Sequence, residues 1–338
     1  MLRDEVEQVL RPARPATPVP GRDDALAVVV AGPVADVRRL RTAVAAWVWL
    51  HFDVPRPRSL TSGEHLARIV AAVYTSLRVA GSSSFRFEAA GSDSSVFQRL
   101  ADELRTATGL QHDPQDGELV VKVRRGTRAS DEKAGDPGWD VLVRIGPRPL
   151  SARAWRVADF PGAANATIAA AMTRLAAPRE DERVLNLMCG SGTLLIERLL
   201  AVPAAQAVGV DLDRDTLAAA ADNLEAAGLT RRATLLPGDA LDPAAWLAAA
   251  GGTGFDLVLA DPPWGSLHGS HEDAERVHAG LLRAAHEVTA PGARLVVLTH
   301  EVKVMERCVR SADGWTAAEP VRVFAKGHHP RIWVLARH

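Results

Sequence analysis

The sequence predicts an α/β fold: a mainly parallel seven-stranded sheet with helices on both faces, preceded by a smaller α+β region. Three observations carry this. Strand-like runs at residues 183–187, 206–210, 233–236, 255–260 and 294–299 alternate with helical segments of fitting length. Two further strand-like stretches, 316–324 and 332–336, follow each other without a helix and read as an antiparallel edge hairpin. Residues 84–145 show a different order, β-α-β-β. A length of 338 residues suits about two domains, and 47% apolar with 24% charged residues excludes a chain disordered throughout.

Taken in order, residues 11–21 are proline-rich and extended, and a short strand is expected at 26–30. A helix is expected over 37–52, with Trp47 and Trp49 as core or docking residues. After a break at 53–63 the helical period resumes over 64–79. A strand at 84–88, a helix at 95–108 and strands at 118–123 and 139–145 follow, the last two separated by a hydrophilic loop. A helix over 164–175 leads to the break at 178–181, where the regular alternation begins. The expected organisation is an accessory region (1–83), a small module (84–157) and the parallel-sheet domain (158–338).

Charge divides mildly along the chain. Residues 1–157 hold 23 basic and 19 acidic side chains, residues 158–338 hold 17 and 22. This permits a polyanionic partner without requiring one. Cys189 and Cys308 suit neither a disulfide framework nor a zinc site. The N-terminal residues lack the apolar core of a signal peptide, and no uncharged apolar run reaches the ~18 residues of a membrane span. A cytoplasmic protein without a membrane partner is expected.

The chemistry gathers at strand ends. The first strand of the parallel domain ends in Asn186, Leu187, Met188, Cys189, Gly190, Ser191, Gly192 and Thr193 and runs straight into a helix. Glycines there let a ligand approach the backbone, and the helix start offers free N–H donors. A dinucleotide fingerprint would need a third glycine where Leu195 stands. The second strand ends in Asp211, followed by Leu212, a carboxylate placed to accept both hydroxyls of a ribose. Asp213 or Asp215 fits a helix cap better. The third ends in Asp239 and Ala240, either an adenine-binding pair or a solvated turn. The fourth ends in Asp261, Pro262, Pro263 and Trp264. Two prolines stiffen the backbone, so that Asp261 and the Pro262 carbonyl act as two acceptors on one rigid turn. Such a pair suits the two hydrogens of an exocyclic amine, with Trp264 stacking on the ring. No His or Asp is tied by a motif to Cys189, which is not read as a nucleophile. His328 and His329 read as part of a solvated turn, with contact to a phosphate as the alternative.

With Ile196 and Glu197 after the glycine turn, these motifs resemble the class I S-adenosylmethionine-dependent methyltransferases that modify exocyclic amines. More narrowly, residues 84–338 resemble the THUMP-domain RNA guanine-N2 methyltransferases, most strongly over 183–265. The resemblance implies a Rossmann-like methyltransferase domain behind a THUMP-like, ferredoxin-like RNA-binding module. It places Asn165, Asn186, Cys189, Gly190, Ser191, Gly192, Thr193, Asp211, Leu212, Asp239 and Ala240 around S-adenosylmethionine, and Asp261, Pro262 and Trp264 around the target base. Family members usually carry Asp-Pro where this chain has Asn186-Leu187. In the THUMP-like region Arg124, Arg125 and Arg128 form the one tight basic cluster. The implied activity is methylation of guanine N2 in RNA, tRNA ahead of ribosomal RNA, with no metal. Other amines remain open: adenine N6, cytosine N4 or a protein glutamine. So does an RNA-binding factor that has lost turnover.

Overall fold

Residues 47–52 read Trp-Val-Trp-Leu-His-Phe, a run rich in aromatic and branched side chains that suits a strand, where successive side chains point to opposite faces. The computed structural model describes residues 1–126, 136–158, 160, 162–263, 271–325 and 327–338, the side chains of 271 and 272 excepted. In it this segment is a strand, so the helix expected over 37–52 is corrected: residues 34–39 form a short 3-10 helix and the chain then extends.

The chain divides into two units, Met1–Ala152 and Arg153–His338. The first contains α1 (Leu2–Leu10), β1 (Thr17–Val19), β2 (Arg22–Ala27), β3 (Trp47–Phe52), α2 (Gly63–Val79), β4 (Ser84–Glu88), α3 (Ser95–Thr108), β5 (Gln111–His112), β6 (Leu119–Arg125) and β7 (Trp139–Arg144). Its five-stranded sheet has the order β3-β7-β6-β4-β5. Val48, Leu50 and Phe52 of β3 join Phe85, Val121 and Val143 under α2 and α3, whereas Trp47, Trp49 and His51 occupy the other face. The expected boundary at 83/84 runs through this body, because β3 pairs with β7 from Trp47↔Arg144 to Phe52↔Trp139. Of the hydrophilic loop, residues 127–135 lie outside the described residues.

The second unit contains α4 (Ala166–Leu175), β8 (Arg183–Leu187), α5 (Thr193–Ala201), β9 (Gln206–Asp211), α6 (Arg214–Ala226), β10 (Thr234–Pro237), β11 (Phe255–Ala260), α7 (His271–Val288), β12 (Thr289–Thr299), α8 (Val302–Ser311), β13 (Trp315–Ala317), β14 (Val321–Arg322) and β15 (Arg331–Arg337). Its sheet has the order β10-β9-β8-β11-β12-β15-β13, with β14 also on β15. The first five strands are parallel and β15 runs antiparallel to β12. Ala317 pairs with Leu335 but Val321 with Ile332, so a bulge lies between β13 and β14. The two short strands therefore share one edge position, and eight strands fill the seven places expected.

Leu185, Leu187, Val258, Leu295 and Trp333 carry one face of this sheet against α7 and α8. Gly209 faces the other way: a Cβ there would come within 3.3 Å of Leu195 on α5, so the absent side chain lets helix and sheet close up.

Candidate active site

Parallel strands joined by right-handed crossovers bring their carboxyl ends to one edge, where irregular backbone follows each strand. The order β10-β9-β8-β11 thus sets Asp239, Asp211, the Gly190 turn and Asp261 side by side on four neighbouring strands. Neighbouring strands lie about 4.8 Å apart, so the whole row spans about 15 Å. The pairing Ala260↔Leu187 puts Asp261 directly beside Met188.

The turn after β8 is a run of left-handed residues: Met188 at φ 51°, Gly190 at 54° and Gly192 at 80°. The two glycines differ in what surrounds them. A Cβ on Gly192 would lie 3.3 Å from Ala220, whereas one on Gly190 would meet open space. Gly192 serves helix packing and Gly190 leaves the approach to the backbone clear. Cys189 is buried beside them, and burial, with the Asp211 charge adding to it, pushes its thiol well above the ordinary value. An inert thiol is the result, as the sequence suggested.

Asp211 ends β9 half-buried. Its Oδ2 accepts from the Gly190 N–H at 2.8 Å and Oδ1 from the Asp213 N–H at 3.1 Å, which fixes the carboxylate at the strand end. Leu212 beside it is 74% exposed, an apolar side chain with nothing packed on it. Asp213 caps α6, accepting from the Asp215 and Thr216 N–H groups. Asp239 is exposed and accepts from the Leu241 N–H at 2.9 Å, and Ala240 is buried.

Asn186 is fully buried on β8. Its Nδ2 donates to the carbonyls of Leu187 (3.2 Å) and Leu259 (3.1 Å), while Oδ1, like the buried Ser191 Oγ, has no hydrogen-bond partner among the described residues. An ionised aspartate would set negative charge against those two carbonyls, which accounts for the amide in this chain. Two orphaned oxygens beside an open glycine, at a helix N-terminus and between two strand-end carboxylates, fit a ligand with an ammonium group, a ribose and an apolar ring.

On β11 the turn begins with half-buried Asp261 and buried Pro262, and Pro263 is exposed. Trp264 lies outside the described residues. Asn165 caps α4: its Oδ1 accepts from the Thr167 N–H (2.9 Å) and hydroxyl (2.7 Å), leaving only its amide N–H groups for a ligand.

Three further residues brace the glycine turn. Asn223 of α6, fully buried, accepts from the Val157 and Ala158 N–H groups and donates to the carbonyls of Ala158 and Ser191. Arg156 donates to Thr193 Oγ1 and the Ala164 carbonyl, both at 2.8 Å. Arg153 pairs with buried Glu197 at 2.8 Å. For Asn223 the one available signal was the residue itself, an amide on the same helix stripe as Leu217, Ala220 and Leu224.

Residues 153–331 match the family model described as RMKL-like, methyltransferase domain. The chain is 28% identical over 264 residues to a tRNA (guanine(6)-N2)-methyltransferase of Thermus thermophilus, covering 76% of this chain and 73% of the relative. It is 24% identical to one of Methanocaldococcus jannaschii, with 65% and 69% covered. The crystal structure of TrmN from Thermus thermophilus shares the fold at a TM-score of 0.71 and 24% identity, over 100% of this chain and 96% of that one. No helix among the described residues is long and apolar enough to cross a membrane.

Proposed function

Because the chain belongs to the RMKL-like methyltransferase-domain family, we propose that it is an S-adenosylmethionine-dependent RNA guanine-N2 methyltransferase acting on tRNA. The observation that carries this reading is the placement of the Asp261-Pro262 turn on β11 immediately beside the Gly190 turn of β8, with Asp211 on the next strand. The names of the relatives point to the amine and the RNA.

The cofactor, when bound, supplies an electrophilic sulfonium methyl group. Gly190 and Ser191 would take its methionine part, with Asn186 Oδ1 as a neutral acceptor for the ammonium. Asp211 would hold the ribose diol, with Leu212 and Asp239 at the adenine. On the substrate side, Asp261 and the Pro262 carbonyl accept the two N–H groups of guanine N2. That contact would aim the nitrogen at the methyl carbon and favour the positive charge that grows on nitrogen as the C–N bond forms and the C–S bond breaks, its electron pair leaving with sulfur as a neutral thioether. Asp261 is then positioned to take the displaced proton. The guanine amine is a poor nucleophile, so in-line placement matters most and supplies roughly 7–11 kcal/mol. Trp264 is proposed to stack on the flipped base, offsetting part of the few kcal/mol of unstacking with about 1–3 kcal/mol.

The first unit is proposed to be the THUMP-like RNA-binding part. On its open face Trp49 is 40% exposed and the Lys122 ammonium sits 5.7 Å from the Trp47 ring centre. Of the basic cluster, Arg124 faces Asp140 at 3.6 Å and Arg125 faces Asp136 at 3.2 Å, which offsets their charge, and Arg128 lies outside the described residues.

Incubation with methyl-labelled cofactor and, separately, bulk tRNA, DNA or protein tests the proposal. N2-methylguanosine in digested tRNA is the expected product. Label only in adenine, cytosine or glutamine overturns the assignment of the amine, and absence of cofactor binding by calorimetry overturns the enzyme.

A further inference from the structure

We propose that the hairpin tip at residues 323–330 is a second RNA contact, built into the methyltransferase unit, which holds the nucleotide next to the target. This rests on the RNA methyltransferase reading above and adds a surface to it. The register supplies the position. Thr299, the last residue of β12, pairs with Arg331, and the ladder continues past the sheet edge through Val323 N–H to the Pro330 carbonyl (3.1 Å) and the bridge Ala325↔His328. At ~3.4 Å per residue the tip stands about 10 Å beyond the carboxyl ends of the parallel strands. It folds toward the site: the His328 ring meets the edge of the His300 ring at 5.2 Å, and His300 follows directly after β12. The last β11–β12 pair, Ala260↔Val297, stands directly before Asp261 on one strand and three residues before His300 on the other.

The chemistry of the tip suits a polyanion with exposed rings. Phe324 is 66% exposed and its ring lies 5.4 Å from that of His329, also exposed, so the aromatic surface faces water. From residue 320 to the end of the chain there is no Asp or Glu, although residues 158–338 as a whole are acidic. Arg322 and Arg331 pair across the ladder at its base. One guanidinium nitrogen of Arg331 is buried and has no hydrogen-bond partner among the described residues, while Arg322 is exposed. A stacking ring flanked by imidazoles, with the exposed Arg322 guanidinium at the base of the ladder, matches single-stranded RNA, base on Phe324 and phosphate on Arg322. Lys326 lies outside the described residues.

The test uses the full-length chain with bulk tRNA, measuring fluorescence-anisotropy binding and steady-state methyl transfer. Phe324→Ala is expected to raise the Kd and KM for tRNA by about 5- to 100-fold, with the KM for the cofactor within about twofold, and Phe324→Tyr to restore both. Arg322→Gln is expected to reduce the slope of log K against log salt by about one. Wild-type tRNA binding and KM in Phe324→Ala, in an enzyme that does methylate RNA guanine, overturns this inference alone. Methyl transfer to DNA or protein and never to RNA overturns both readings.

Discussion

The glycine turn after β8 and the hairpin tip before β15 stand on the same edge of one sheet, yet they are held in opposite ways. Around the turn, side chains of three different segments converge. Asn223 bonds to both Ser191 and the 157–158 stretch, Arg156 reaches Thr193, and Asp211 receives the Gly190 N–H. Cys189, Ser191 and Thr193 are all buried. Among the described residues the tip is held by its own ladder and by the His328–His300 ring contact, and Phe324 is largely exposed. A small ligand of fixed shape rewards a preorganised pocket, whereas a polymer that must arrive, unstack and leave needs an accessible surface. The half of the site that would take the cofactor is rigid by construction and the other half is presented.

Breaking each half separately sharpens this contrast. Asp261→Ala should have the largest effect, a fall of roughly 10²–10³ in methyl transfer under single-turnover conditions with cofactor affinity within about twofold. Loss of both together would place Asp261 in the rigid half. Asn223→Ala removes the brace and leaves buried N–H and carbonyl groups of 157–158 and 191 unsatisfied. Urea denaturation should show a loss of about 2–4 kcal/mol together with weaker cofactor binding by calorimetry, and unchanged cofactor binding would contradict the coupling. Asn186→Asp sets a carboxyl group against the Leu187 and Leu259 carbonyls. About 1–3 kcal/mol of stability should disappear, more at pH 8 than at pH 5, because burial penalises the ionised form.

The smallest effect concerns the substrate side, where His278 of α7 is buried. One ring nitrogen bonds to the Ala274 carbonyl and the other to the Thr299 hydroxyl. Burial holds its pKa below the ordinary 6.5. The unfolded chain then binds that proton more readily, so the stabilisation is complete above pH 6.5 and declines as pH falls below it, by at most ~1.4 kcal/mol per pH unit. Chemical denaturation across pH 5–7 should show a shallower decline in His278→Gln than in the wild type.

Legibility in the sequence followed how local each signal was. The parallel strands were readable from their alternation with helices, and four of the five strand ends carry a motif of their own: Asp211, Asp239, Asp261 and the glycine turn all fall on the expected edge. The segment 47–52 was misread because the alanines at 43, 45 and 46 favour a helix, and pairing to β7, a stretch nearly a hundred residues away, decided otherwise. β5 has two residues, too few to show a period. Asn223 escaped because its partners at 157–158 and 191 are distant in sequence, and an amide within a helix carries no motif of its own. Asn165 was read for a ligand while its oxygen is committed to starting α4, a local demand that competes for the same atom.

The one-residue slip between β13 and β14 divides the outer strand into a part registered with the sheet and a part that follows the tip. Because β15 pairs with β12 from Arg331 to Ala336 and with β13 from Leu335 to Arg337, residues gained or lost between 318 and 327 would lengthen or re-aim the tip while Trp333 and Leu335 stay in the core. Such a joint lets lineages retune which polymer is gripped while the small-molecule cradle stays untouched, an arrangement suited to divergence of target choice on a constant chemical engine.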